Sequence, residues 1–155
     1  TIQVDFAQPD NFDLQFVDSN NKRVKPVMIH RALLGSIERF TGILIENYAG
    51  EFPGWLSPVQ VKVLTIGDVS NYLNKLTKSL KGFRYEVDDR NLRLGEKLHD
   101  ASKEKVPITI IVGEKDELSN TLAINIRSQD NQQNVKYEDA IKQIKANLKT
   151  PIFKI

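Results

Sequence analysis

Three places in this chain of 155 residues hold side chains whose type and spacing could do chemistry. The first is Arg39, in the opening turn of a helical pattern that begins after Gly35-Ser36. Amide N–H groups at a helix start carry partial positive charge, so a cation there is disfavoured unless an anion stands in front of it. A phosphate removes the conflict, because helix terminus and guanidinium then bind it together. An ion pair with a carboxylate such as Glu38 would also remove it, and spacing alone leaves both readings open. The second is His30, on the face of its strand opposite Ile29; it could ligate a metal, contact a phosphate, or be a hydrogen-bonded core residue. The third is a pair of loops, Asp89-Arg90-Asn91 and Gly113-Glu114-Lys115-Asp116, each at the carboxyl end of a strand, where ligands settle in open α/β sheets. Asn can read a base edge, Arg can grip phosphate or stack on a base, and Asp can accept from an exocyclic amine. The same residues also make solvated turns.

Other chemistries are excluded by what the chain lacks. With no cysteine there is no disulfide framework, Cys zinc finger, thiol catalysis or iron–sulfur cluster. Two histidines, His30 and His99, cannot by themselves close a zinc site, so at most one ligand of a larger site is on offer. No paired glycines form a phosphate-cradling loop, and no Ser/His/Asp arrangement presents itself. No apolar run reaches the 18 or so residues needed to cross a bilayer, so no membrane partner is expected. A net charge of +2 is far from the basic footprint of an autonomous nucleic-acid binder. Lys97, Lys103, Lys105, Lys142, Lys145 and Lys149 read as a solvated surface among interspersed acids. The opening Thr1-Ile2-Gln3-Val4-Asp5-Phe6 has no leader character and reads as a strand entered in mid-fold.

The elements that must position these groups follow from periodicity. Alternation predicts strands at Ile2–Phe6 and Leu14–Val17, a polar turn over Asp18–Lys22, and a short strand Val27–His30. The helix after Ser36 carries Ile37, Phe40, Ile43, Leu44, Ile45 and Tyr48 around most of its circumference and is expected to be submerged. The first 50 residues hold too few partner elements to cover it, so they read as the tail of a larger domain. Residues 51–58 are dense in turn formers and read as a linker. Beyond them come a β-branched strand Val59–Ile66, a helix capped by Asp68, a strand Phe83–Val87 and a helix with Leu94, Leu98 and Ala101 on one stripe. A buried strand Ile108–Val112, a strand Leu122–Arg127, a polar turn Gln129–Asn134 and a last helix through Ala140, Ile141, Ile144 and Leu148 complete the order. Such alternation argues for a mixed, largely parallel sheet covered by helices.

The run from Pro26 to Phe40, with His30-Arg31-Ala32 and Gly35-Ser36-x-Glu38-Arg39-Phe40, resembles motif 3 of class II aminoacyl-tRNA synthetases, and in detail the threonyl-tRNA synthetases. Thr1–Phe6 resembles the strand before that motif, and Phe52-Pro53-x-Trp55-Leu56-x-Pro58-Val59-Gln60-Val61 the passage into the anticodon-binding domain. The resemblance implies the end of an antiparallel-sheet catalytic domain over residues 1–50 and a mixed, mostly parallel five-stranded α/β anticodon-binding domain over 59–155. It puts Gln3, Ser36 and Arg39 on positions that hold ATP, with Arg39 at its phosphates and Mg2+ bridging them. His30 falls on a zinc ligand. The anticodon would be met by Arg90, Asn91, Lys115, Asp116, Asn125 and Arg127. Two departures stand out: Asp116 replaces a usual Glu, and Asn125 a usual Arg, with Arg127 two residues later on the same face.

The function so implied is activation of threonine with ATP and its transfer to tRNA(Thr), by a homodimer, with this segment inactive alone. The departure at Asn125 is compatible with a mitochondrial-matrix enzyme, the cytoplasm being the alternative setting. The rivals are a non-catalytic RNA- or protein-binding accessory subunit and a general protein-interaction domain.

Overall fold

The structure, a computed structural model, describes residues 1–151. Two compact units emerge, Thr1–Leu44 and Ile45–Ile155.

In the first unit β1 (Ile2–Asp5) is followed by a single helical turn, α1 (Gln8–Asn11), that sequence pattern did not announce. The Asp5 carboxylate starts it, accepting the N–H groups of Ala7 at 2.8 Å and Gln8 at 2.9 Å. A hairpin of β2 (Phe16–Val17) and β3 (Arg23–Val24) comes next. Its turn is closed by Asp18, whose carboxylate accepts N–H groups from Asn20 and Lys22. Then β4 (Met28–Arg31) returns antiparallel to β1, with Gln3 opposite His30.

The helix α2 (Ile37–Asn47) opens where the spacing predicts, but none of its residues is buried. Ile37 is 77% exposed, and Ile43 and Ile45 are exposed as well. Within the described residues the helix is uncovered, in keeping with the count of partner elements read from the sequence. Two small two-stranded sheets and one helical turn provide no second layer to bury an apolar stripe.

The second unit includes the segment 51–58, which is anchored rather than a free linker. The Arg84 guanidinium donates to the carbonyls of Trp55, Ser57 and Pro58 at 2.7–3.1 Å. Gln60 holds the Gly54 carbonyl with its amide N–H at 2.8 Å, while its oxygen accepts the Arg84 N–H. A Cβ at Gly54 would lie 2.7 Å from Leu148 Cδ2, so this turn presses on the last helix with only a hydrogen to spare. Turn formers signalled irregular backbone correctly; they carried no information about the side chains that grip it.

After that segment the chain runs β5 (Val61–Ile66), α3 (Ser70–Ser79), β6 (Tyr85–Asp88), α4 (Leu94–Lys103), β7 (Ile108–Gly113), α5 (Glu114–Ser119), β8 (Thr121–Ile126), β9 (Gln132–Lys136) and α6 (Tyr137–Asn147). The sheet order is β6-β5-β7-β8-β9. β5 is parallel to β6 and β7, β8 is antiparallel to β7, and β9 is antiparallel to β8, so β8 alone runs against the rest. The mixed five-stranded sheet is the expected one. Two of its details differ from the residue pattern. The polar stretch read as a turn contributes an edge strand, β9, because backbone pairing to β8 needs no apolar side chains at an edge. The 113–116 loop is the start of α5, whose Gly113 N–H bonds to the Asp116 carboxylate at 2.9 Å.

The core lies on one face of this sheet. Val61, Val63, Ile108, Ile110, Leu122 and Ile124 pack there with Tyr72, Leu76 and Leu80 of α3 and Tyr137, Ile141 and Ile144 of α6. α4 packs on β5 from the other face, where Lys62 reaches Glu104 in an ion pair. Among the described residues no helix is long and apolar enough to cross a membrane.

Candidate functional site

The carboxyl edge of the second unit's sheet gathers most of the candidate residues. β5 ends at Ile66, β6 at Asp88 and β7 at Gly113. From β5 the chain goes through α3 to β6 on one side, then through α4 to β7 on the other. That reversal is the switch point at which open α/β sheets form a crevice. A shallow cleft of about 370 Å³ lies there, lined by Ile66, Gly67, Gly113, Glu114, Lys115 and Asp116. Gly67 has φ +75°, and a Cβ on it would come within 3.2 Å of a Glu114 oxygen, so this turn suits glycine on two counts. The exposed Ile66 side chain offers van der Waals contact to a flat ring, with polar groups at hand for its edge.

Not every residue of that edge is available to a ligand. Asn91 and Lys115 are exposed and make no side-chain hydrogen bond among the described residues. Asp116 uses one oxygen on the Gly113 N–H, which caps α5, and keeps the other. Arg90 is differently placed. Its backbone N–H, Nε and one terminal nitrogen bond the Asp88 carboxylate at 2.6–3.2 Å, and that nitrogen also meets Asp100 at 2.8 Å. Arg90 therefore holds its own loop rather than waiting as a free donor. The hydrogen bonds from Arg90 pull the Asp88 carboxyl down to about 2, and the two acids raise the Arg90 guanidinium above its usual value.

Lys97 overturns its sequence reading. Expected on a solvated face, it is 2% exposed, and its ammonium donates to the carbonyls of Thr65 at 2.8 Å and Asp88 at 3.1 Å. The signal was present, since Lys97 stands three residues after Leu94 and four before Ala101, on the apolar stripe itself. Lys105, also read as solvated, bonds the Ala49 carbonyl.

Asn125 and Arg127 lie away from the carboxyl edge. β8 runs against β7 and places Asn125 opposite Thr109, near the amino end of β7. Both residues line a separate cleft of about 320 Å³ beside α4, with Leu98, Ser102, Lys105 and Thr109. The Arg127 guanidinium donates to the carbonyls of Lys105 and Phe52, and so clasps the entering segment. Asn125 is half-buried on the same face and retains its amide for a ligand.

In the first unit, Gln3 and His30 are register partners and so share one face of the two-stranded sheet. Ser36 caps α2, its hydroxyl accepting the Arg39 N–H at 3.2 Å. Arg39 is exposed, and its guanidinium enters no ion pair and no hydrogen bond among the described residues. The pair with Glu38 is not formed. His30 supplies one imidazole donor, and among the described residues no group of three or more His, Asp or Glu is placed to hold a metal. These residues alone therefore do not make a zinc site.

Comparisons with known proteins agree with this layout. The anticodon binding domain family matches residues 60–147, and the class II tRNA synthetase core domain (G, H, P, S and T) matches residues 1–48. The threonine–tRNA ligase of Clostridium tetani is 50% identical over 132 residues, covering 83% of this chain and 21% of the relative. That of Petrotoga mobilis is 45% identical over 152 residues, 96% of this chain and 24% of the relative. The chain thus spans less than a quarter of the length of these relatives. The crystal structure of the RNA binding domain of threonyl-tRNA synthetase from Cryptosporidium parvum superposes with a TM-score of 0.71 at 26% identity, covering 94% of this chain and 38% of that one. The resemblance drawn from motif 3 is borne out.

Proposed function

From the premise that the chain belongs to the anticodon binding domain family, we propose that it is part of a threonine–tRNA ligase, contributing an ATP-phosphate contact and the module that binds tRNA(Thr). The observation that carries the reading is the division of labour at the carboxyl edge. Arg90 is spent on Asp88 and Asp100, while Asn91, Lys115 and one oxygen of Asp116 face outward unspent. An ammonium and a carboxylate beside the exposed Ile66, with the Asn91 amide on the loop after the neighbouring strand, supply donors and acceptors that an unstacked base can use. Asn125, in the cleft beside α4, extends the surface toward a neighbouring nucleotide.

In the first unit the chemistry is positioning and charge compensation. The free N–H groups of the first turn of α2 and the unpaired Arg39 would bind phosphate oxygens of ATP and offset charge developing toward pyrophosphate. Mg2+ arriving with the nucleotide would supply the remaining charge compensation. Gln3, on the face shared with His30, would line the nucleotide. No step runs through zinc, to which His30 would give a single donor. Threonine is the second substrate in this reading and a homodimer its assembly. The exposed Ile2, Val4, Ile29 and Leu33 support a covering surface of some kind. An accessory subunit without catalysis finds no specific observation in its favour, since both Arg39 and His30 stand.

The test is titration of the chain with a tRNA(Thr) anticodon stem-loop and with the same stem-loop carrying one altered anticodon base, at fixed salt. The reading predicts a preference of about 1–3 kcal/mol for the unaltered RNA. Equal binding of both would refute it.

A further inference from the structure

Lys97 is the most deeply buried of the second unit's charged residues among the described residues, at 2% against 4% for Asp88 and 6% for Lys62. Its ammonium is taken out of water under the sheet's carboxyl edge, where a Met of similar length would fill the space without a charge to compensate. What an ammonium does that a thioether cannot is donate in two directions. One bond goes to Thr65, the residue before the end of β5, and the other to Asp88, the last residue of β6. The two strand ends are thereby cross-linked one step before their loops leave the sheet. Thr65 adds a third tie, its hydroxyl reaching the Asp88 carbonyl at 3.3 Å.

The cross-link continues into the loop that carries Asn91. The Asp88 carboxylate, 4% exposed in its residue, faces the Arg90 guanidinium, which is tied in turn to Asp100 on the same helix as Lys97. Leu92 closes on the Arg90 carbonyl at 2.8 Å. Asn91 therefore sits between two immobilised neighbours while its own amide stays free. The groups that face this network are Asp88, Arg90 and Asp100, with Lys62 and Glu104 a helical turn further along. We propose that Lys97 is a positioning residue: by clamping the ends of β5 and β6 it fixes the Asp88–Arg90–Asp100 brace, which holds the Asn91 amide in reach of one anticodon base. The inference rests on the anticodon reading above and deepens it.

A buried charge that serves positioning is replaceable for stability but not for discrimination. The experiment measures the ratio of dissociation constants for the tRNA(Thr) anticodon stem-loop and its single-base variants, at fixed salt. The proteins are the unmodified chain, Asn91→Ala, Lys97→Met and the double variant. The expected result is that Lys97→Met stays folded, lowers the discrimination at the Asn91-dependent base by about tenfold, and adds nothing when Asn91 is already Ala. Asp100→Asn, at a half-exposed site, is the second variant and should give a smaller loss, again absent in the Asn91→Ala background. This variant decides the matter should Lys97→Met not fold. Unchanged discrimination in the folded variants, or losses that multiply with that of Asn91→Ala, would overturn the positioning role while leaving the anticodon reading intact. An unmodified chain with no preference among the RNAs would overturn the reading itself, and this inference with it.

Discussion

The two units of this chain use their polar residues in opposite ways. In Thr1–Leu44 the residues singled out for chemistry, Gln3, His30 and Arg39, are exposed and uncommitted, and the apolar side chains around them are exposed too. In Ile45–Ile155 the charged residues near the candidate surface are mostly bound to one another or to carbonyls, and a few free groups are set among them. A site residue is thus recognised in the second unit by what it does not bond. In the first unit that criterion does not single out the site residues, because Arg31, Glu38 and other exposed polar side chains are unbonded as well, and only position decides: Arg39 stands at a helix start, where a cation has no partner of its own making.

The sharpest contrast is in stability. Ile110→Ala, at a fully buried strand position, should cost about 2–5 kcal/mol, whereas Ile37→Ala, at 77% exposure, should stay within about 0.5 kcal/mol. Denaturant unfolding measures both, and equal costs would break the comparison. In the complete ligase proposed above, Arg39→Ala should lower threonine-dependent ATP–pyrophosphate exchange by about 10²–10³-fold, the range for loss of one preorganised donor. The melting temperature of the chain itself should not move, because the Arg39 guanidinium bonds nothing within the described residues. Asn91→Ala should weaken recognition of one anticodon base by about 1–3 kcal/mol and leave recognition of the others and the stability alone.

The smallest effect is an acid limb. The Asp88 carboxyl is held near 2, against 3.8 for the free group, chiefly by its hydrogen bonds to Arg90. A depressed acid contributes stability that is complete above the unfolded value and is lost as pH falls through the folded one. The second unit should therefore lose stability between about pH 4 and pH 2, and Asp88→Asn should flatten that slope. The effect is modest because half of the Arg90 side chain is in water, which screens the pair. A slope unchanged by the substitution would remove the brace from the account.

Much of this was legible in the residues. Alternation marked the strand at Ile2, Val4 and Phe6, a near-continuous apolar run marked the buried strand Ile108–Val112, and the stripe Tyr72, Leu76 and Leu80 marked a core helix, because these patterns follow from backbone geometry and burial. Asn91, Lys115 and Asp116 were placed at strand ends by the same patterns. The brief elements escaped: α1 and α5 are too short to show a period, and β9 offers a single apolar residue, Val135, to the core. Lys97 was misread because charge was given more weight than its place on the apolar stripe. The bonds of Arg84 and Arg127, and that of Arg90 to Asp100, join residues ten to seventy-five positions apart, which no local pattern records.

The central claim is that the second unit meets RNA through its sheet's carboxyl edge, with the separate cleft of Asn125 beside α4 extending the contact, and that the first unit plays no part in it. Amide chemical shifts of the chain titrated with the tRNA(Thr) anticodon stem-loop test it most directly. The account predicts changes concentrated at residues 66–68, 89–93, 113–116 and 123–127, with residues 1–44 silent. Changes centred on α3, α6 or residues 1–44 would contradict it.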